Sequence, residues 1–133
     1  MKRDMELIRK ILFYAEENYT PGQEWIRRMD IEDYDQETIN EHMKLAYENG
    51  FFQDIHSISM GGGTYYWVGN LSNEGYDFLE KIRDDTVWNR TKAAIVQKGL
   101  PMVANTIKTI ASAFITAAAE GVANSIIKNG GIQ

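Results

Sequence analysis

The stretch TINEHMKLAYENGFFQDIHSISMGGGTYYWVGNLSNEGYDFLEKIRDDTVWNRT, residues 38–91, decides the fold. It opens as a helix whose apolar face is Ile39, Met43 (or His42), Ala46 and Tyr47, recurring at three- and four-residue steps. Asn49-Gly50 stops that helix, because glycine takes the left-handed backbone of a helix end without a Cβ clash. Phe51, Phe52, Ile55 and Ile58 on one side of Gly61-Gly62-Gly63, and Tyr65, Tyr66, Trp67 and Val68 on the other, predict a β-hairpin. Three glycines suggest a loop longer and looser than a two-residue turn. Ser72 then caps a second helix reaching about Thr91, with Glu74 in its first turn. Its packing line is Gly75, Leu79, Ile82 and Thr86, with Phe78 beside it. Glycine inside a helix costs roughly 1 kcal/mol against alanine, so Gly75 is expected where another backbone comes close.

Upstream, Asp4 is a candidate N-cap, with Glu6 in the first turn, for a helix to about Asn18. Leu7, Ile8, Ile11, Leu12 and Ala15 form its buried face, and Arg9, Lys10, Glu16 and Glu17 are expected to stay wet. Thr20-Pro21-Gly22 ends it. Ile26–Ile31 alternates as a strand, and Asp33 or Asp35 caps the helix that follows. The order helix-strand-helix-hairpin-helix gives an α+β, winged-helix-like domain over residues 1–92. Residues 93–133 form a C-terminal association helix.

That closing helix lies between Gly99-Leu100-Pro101 and Asn129-Gly130-Gly131. At 1.5 Å per residue, about 28 residues make a rod on the order of 42 Å, longer than a small domain is wide. Its apolar positions are Val103, Ile107, Ile110, Phe114, Ala117 (or Ala118) and Gly121, with Ile115, Val122 and Ile126 adjoining. Asn105, Lys108, Ser112, Thr116, Glu120, Asn124 and Lys128 make a polar stripe. Ala113, Ala117 and Gly121 would let a second helix approach closely. So much apolar surface predicts a homo-oligomer through residues 100–128. The alternatives are folding back onto its own domain and lying on a membrane surface, for which the polar face has few cations.

The segments Met1–Leu12 and Leu71–Thr91 resemble domain of unknown function 2513, a family of bacterial and prophage proteins. Ile39, His42, Leu45 and Glu48-Asn49-Gly50-Phe51-Phe52 are similar to its helix leading into the hairpin. The most specific run is Asp84-Asp85-Thr86-Val87-Trp88-Asn89. The family usually has threonine and tryptophan where this chain has Ser72 and Asn73, and histidine where it has Tyr76. Ser72 keeps a capping hydroxyl, and no role of the other two side chains carries over. The resemblance covers roughly residues 1–92. It implies a winged-helix-like fold and a bacterial or phage origin, and it brings no activity with it.

Charge weighs on function. The net −5 is uneven: residues 31–60 hold one basic side chain, Lys44, against seven acidic ones. If residues 35–49 were a recognition helix, Gln36 and Asn40 would suit adenine edges. Arg27, Arg28 and Lys44 are the nearby cations, with Lys2, Arg3, Arg9 and Lys10 further off. Asp35, Glu37 and Glu41 would meet phosphates whose neutralisation supplies most non-specific affinity. The segment from Tyr19 to Asp33 leaves little room for the customary middle helix as well.

No catalytic set assembles. The chain has no cysteine and two histidines, His42 and His56, without metal-site spacing. His42 reads as a structural residue on an apolar face. The glycine triplet lacks the Lys-Ser/Thr of a phosphate loop. Asp77, Glu80, Asp84 and Asp85 read as a solvated face interleaved with Lys81 and Arg83, and Trp88 as a packing anchor. The longest uncharged run of the tail, Thr109–Ala119, is too short to span a bilayer, which takes about 20 residues. The expectation is a cytoplasmic, non-enzymatic interaction module of phage or prophage type that uses no cofactor and self-associates through its last helix. A winged-helix DNA-binding transcription regulator is the alternative.

Overall fold

The computed structural model describes residues 1–127. It is α+β, with helices α1 (Met5–Asn18), α2 (Gln36–Glu48), α3 (Asn73–Ile82), α4 (Asp85–Gln97) and α5 (Ala104–Ile126). An antiparallel hairpin, β1 (Ile55–Met60) and β2 (Gly63–Val68), stands between α2 and α3. The chain divides into two compact units, Met1–Leu79 and Glu80–Gln133. Residue 92, where the first domain was expected to close, lies within α4.

In the first unit α1 packs on α2, and α2 on β2. The whole expected face of α1 is fully buried: Leu7, Ile8, Ile11, Leu12 and Ala15. Arg9 is buried too, against expectation, with its guanidinium 4.9 Å from the centre of the Phe13 ring. The long apolar stem of arginine lets it cover core while the charged head rests on an aromatic face. From α2 come Ile39, His42, Met43 and Ala46, whereas Tyr47 stays 37% exposed and does not join the face expected for it.

Two of the sequence motifs meet at one corner. At the end of α2, Gly50 has φ +83°, its N–H donates to Tyr47 O, and Phe51 N–H reaches back to Ala46 O. This double bond pattern satisfies carbonyls that a helix end leaves unpaired. The start of α3 closes over the same residues. Ser72 Oγ donates to Gly50 O and accepts from Gly75 N–H at 3.0 Å, and Ser72 N–H donates to Phe51 O at 2.9 Å. A Cβ on Gly75 would lie 2.1 Å from Phe51 O, so only glycine fits, as its helix-interior cost suggested. One turn on, Phe78 stacks on Phe51 with ring centres 4.5 Å apart. Residues 72, 75 and 78 thus bring one face of α3 onto Phe51.

The hairpin turn is tighter than expected. Met60 pairs with Gly63, leaving only Gly61 and Gly62 in the loop, with φ of +61° and +83°. Positive φ at both central positions is the requirement of a type I′ turn, whose twist matches that of the strands. The expected strand over Ile26–Ile31 shrinks to one bridge, Ile26 with Val68. The expected helix from Ser72 to Thr91 is broken. Asp84 is extended (φ −70°, ψ 126°) and its carboxylate caps α4 by accepting Val87 N–H at 3.0 Å. The packing line therefore ends at Ile82, and Thr86 is exposed.

The second unit is built on the α4–α5 helix pair. Gly99 (φ +65°) ends α4 as Gly50 ends α2, with Gly99 N–H on Val96 O and Leu100 N–H on Ile95 O. Trp88, Thr91 and Ile95 are the buried line of α4, and Ile107 and Ala111 that of α5. Arg90 lies over the Phe114 ring at 4.6 Å. The expected end of the last helix, beyond Ile127, lies outside the described residues.

Candidate functional site

Four of the five residues singled out for nucleic acid, Arg27, Arg28, Gln36 and Asn40, line one groove between α2 and the hairpin. It encloses about 490 Å³, and Met29, Met43, Ile58 and Trp67 contribute apolar lining. Lys44 stands apart, with Nζ 5.8 Å from the centre of the Tyr66 ring.

The polar groups here are largely committed to the fold. Asn40 Nδ2 donates to Thr64 O at 2.8 Å, and its Oδ1 accepts Tyr66 N–H at 2.7 Å. The side-chain amide thus occupies the outer edge of β2. Continuing the antiparallel register from Ile26 and Val68 would bring Arg28 opposite Tyr66 and Asp30 opposite Thr64. Asn40 takes those backbone groups instead, which explains why the third strand stops after one bridge. Gln36 Nε2 donates to Met29 O at 2.9 Å. Arg28 pairs with the Asp30 carboxylate at 3.4 Å, and the Arg27 guanidinium sits 4.4 Å from the centre of the Trp67 ring. Trp25, His56 and Trp67 follow in a row, with ring centres 5.6 and 5.7 Å apart. Glu37 and Glu41 also line the groove.

His42 is fully buried, and its two ring nitrogens have different partners. Nε2 accepts the Asp4 backbone N–H at 2.9 Å, while Nδ1 faces Thr38 O at 2.8 Å. A carbonyl only accepts and an amide N–H only donates, so these contacts fit the neutral ring with its proton on Nδ1. Asp4 caps α1 through Oδ1, which accepts the N–H groups of Glu6 and Leu7, and Oδ2 accepts the Tyr34 hydroxyl at 3.0 Å. In a capping box a glutamate would accept the cap's own N–H. Here a histidine from another helix does so. Burial, and then the bond to Asp4, push the Tyr34 hydroxyl up to about 12. The Thr38 N–H, 2.7 Å from Oδ1, holds the Asp35 carboxyl below its ordinary range.

Around α3 and α4, Glu80 binds Arg83 at 2.6 Å and Asp84 caps α4. Among the described residues no group of three or more His, Asp or Glu side chains converges as a metal would require. No described helix is long and apolar enough to cross a membrane.

Along α5 the expected interface residues separate. Ile107 is fully buried, Val103, Ile110 and Phe114 are half-buried, and Ala117 and Gly121 are exposed. Every residue from Ile115 to Ile127 is exposed. The large apolar side chains among them are Ile115 (38%), Val122 (60%), Ile126 (61%) and Ile127 (55%). Ala111, buried and absent from the sequence-based list, lies one turn after Ile107 and was legible from that spacing. The Asn40 clamp and the His42–Asp4 bond had no such signal, since their partners lie 24 to 38 residues away.

Residues 2–101, which run from the start of α1 past the end of α4, match the family described as "Hypothetical protein (DUF2513)". A relative named only "Uncharacterized protein", from Haemophilus influenzae (strain ATCC 51907 / DSM 11121 / KW20 / Rd), is 32% identical over 116 residues. That alignment covers 87% of this chain and 97% of the relative. No solved structure matches the chain. The family match and the relative's coverage together establish that this chain belongs to the DUF2513 family.

Proposed function

We propose that this protein is a non-enzymatic interaction module that self-associates through the second half of α5, in the phage or prophage setting the family resemblance implies. One observation carries the reading. The line Ile107, Ala111, Ile115, Val122, Ile126 runs along one face of α5 at steps of four and seven; its first two members are buried and its last three are exposed. Burying a large aliphatic side chain is worth roughly 1.5–3 kcal/mol, so an exposed row of them favours a partner. A second copy fits. The stripe itself carries no charge, and Glu120, the one charged residue among 115–127, falls on the opposite side of the helix by its spacing. The commitment of Asn40, Gln36, Asp84 and His42 to caps and backbone supports a role without catalysis.

Because the chain has no cysteine, a single Val122→Cys substitution is a clean probe. Mild oxidation is expected to yield a covalent dimer much faster than in a Glu17→Cys control. Equal rates in the two would refute the interface.

The second reading is a winged-helix DNA-binding regulator, favoured by the placement of Arg27 and Arg28 beside α2 and the hairpin. It requires duplex binding that falls steeply with salt and is lost in Arg27→Ala/Arg28→Ala. The acids Glu37 and Glu41 in the same groove weigh against it.

A further inference from the structure

The two edges of the hairpin are treated differently. On the outer side of β2 the Val68 backbone exchanges two bonds with Ile26, and Asn40 takes Tyr66 N–H and Thr64 O. That edge is closed by a side chain acting as a strand. On β1 nothing corresponds among the described residues. The bonds between Val68 and Ile26 fix which backbone groups point which way. The residues of β1 facing β2 are His56, Ile58 and Met60, so the N–H and C=O groups of Ile55, Ser57 and Ser59 point outward. No hydrogen bond of these outward groups occurs among the described residues, and Ser57 and Ser59 are exposed. Sheet edges left to solvent usually carry a lysine, a proline, a bulge or an inward charge that discourages pairing. The β1 sequence Ile-His-Ser-Ile-Ser-Met has none of these, and the register from Ile55 to Met60 is unbroken.

We infer that the β1 edge is a strand-addition site whose occupant is β1 of a second copy, paired antiparallel about Ser57. The register is self-complementary. Ser57 faces Ser57 of the copy and Ile55 faces Ser59, each pair exchanging two backbone bonds, while His56 meets Ile58 on the other face. The absence of charge on the strand suits this occupant. Elsewhere residues 31–60 carry a net −6, one basic against seven acidic, whereas the strand itself is uncharged and two copies meet without opposing like charges. The product is a four-stranded sheet ordered β2-β1-β1-β2. Trp67 and His56 of one copy then continue across the junction into Ile58 and Tyr65 of the other. This inference is independent of α5, because it rests on the hairpin alone.

Amide hydrogen exchange on the full chain tests it. Raising the protein concentration about a hundredfold is expected to slow exchange of the Ser57 and Ser59 amides by about tenfold or more. The amides of Gly61 and Gly62 in the turn should not change. Ser57→Pro removes an outward N–H without touching the β1–β2 ladder, and is expected to abolish the concentration dependence at Ser59. Ser57→Lys, which places a charge on the edge and leaves the backbone free, must do the same. Repeating the measurement in Val122→Glu/Ile126→Glu separates this surface from α5: the slowing at Ser59 persists if β1 pairs on its own account. Exchange at Ser57 and Ser59 that is fast and independent of concentration in the unsubstituted chain would overturn the proposal, as would slowing that survives both Ser57 substitutions.

Discussion

Helices α1 and α5 carry the same kind of apolar stripe and come to opposite ends. In α1 every member of the stripe, from Leu7 to Ala15, is fully buried. In α5 the stripe is buried at Ile107 and Ala111 and then runs on, exposed, through Ile115, Val122 and Ile126. Both patterns obey the periodicity of a helix, so periodicity alone says that a face is apolar and not what covers it. The difference is one of supply. The stripe of α1 is matched within its own unit by α2, which packs on it and brings Ile39, Met43 and Ala46 into the core, whereas α5 outruns the thirteen residues of α4. A stripe left over after folding is the physical basis for the proposal that a second copy covers α5.

The sharpest way to break this contrast is to strike the same residue type on each helix. Ile11→Ala removes a fully buried side chain and should destabilise the protein by about 3 kcal/mol, seen as a large drop in the midpoint of urea unfolding. Ile126→Ala, at a 61% exposed position, should leave that midpoint within about 0.5 kcal/mol when the protein is dilute. Equal losses from the two substitutions would mean that the end of α5 is buried within its own chain.

Gly75→Ala adds a single methyl 2.1 Å from Phe51 O, so the backbone of α3 or of Phe51 must move. About 2–3 kcal/mol of stability should be lost, again in urea, from a change that improves helix propensity. A stabilised variant would show that α3 does not press on Phe51. The smallest effect has the opposite sign. Thr91 Oγ1 is buried without a hydrogen-bond partner among the described residues. Thr91→Val keeps the shape, removes the orphan hydroxyl and should stabilise by about 1 kcal/mol, read as a rise in the thermal midpoint.

How much of this was legible beforehand follows from the range of each signal. The α1 face, the stop at Asn49-Gly50, the Ser72 cap and the tight approach at Gly75 were readable because each is written within a few neighbouring residues. The break before α4 was just as local. Asp84 carries a cap signal, but the apolar spacing on both sides reads through it as one helix. The missing third strand was not readable. Ile26–Ile31 alternates as a strand should, and what displaces it is the Asn40 amide, whose contact with β2 exists only once α2 has docked. The same holds for the groove, where Asn40 looked like a reader of bases and is occupied in holding a strand edge.

The claim most open to direct contradiction is that the exposed half of α5 joins two copies. Multi-angle light scattering of the full chain, beside Val122→Glu/Ile126→Glu, measures it. The account predicts a mass above the 15.2 kDa of one chain for the unsubstituted protein, and a lower mass for the variant at equal concentration. A full chain that stays at one-chain mass up to the highest soluble concentration, or a variant whose mass is unchanged, would contradict it.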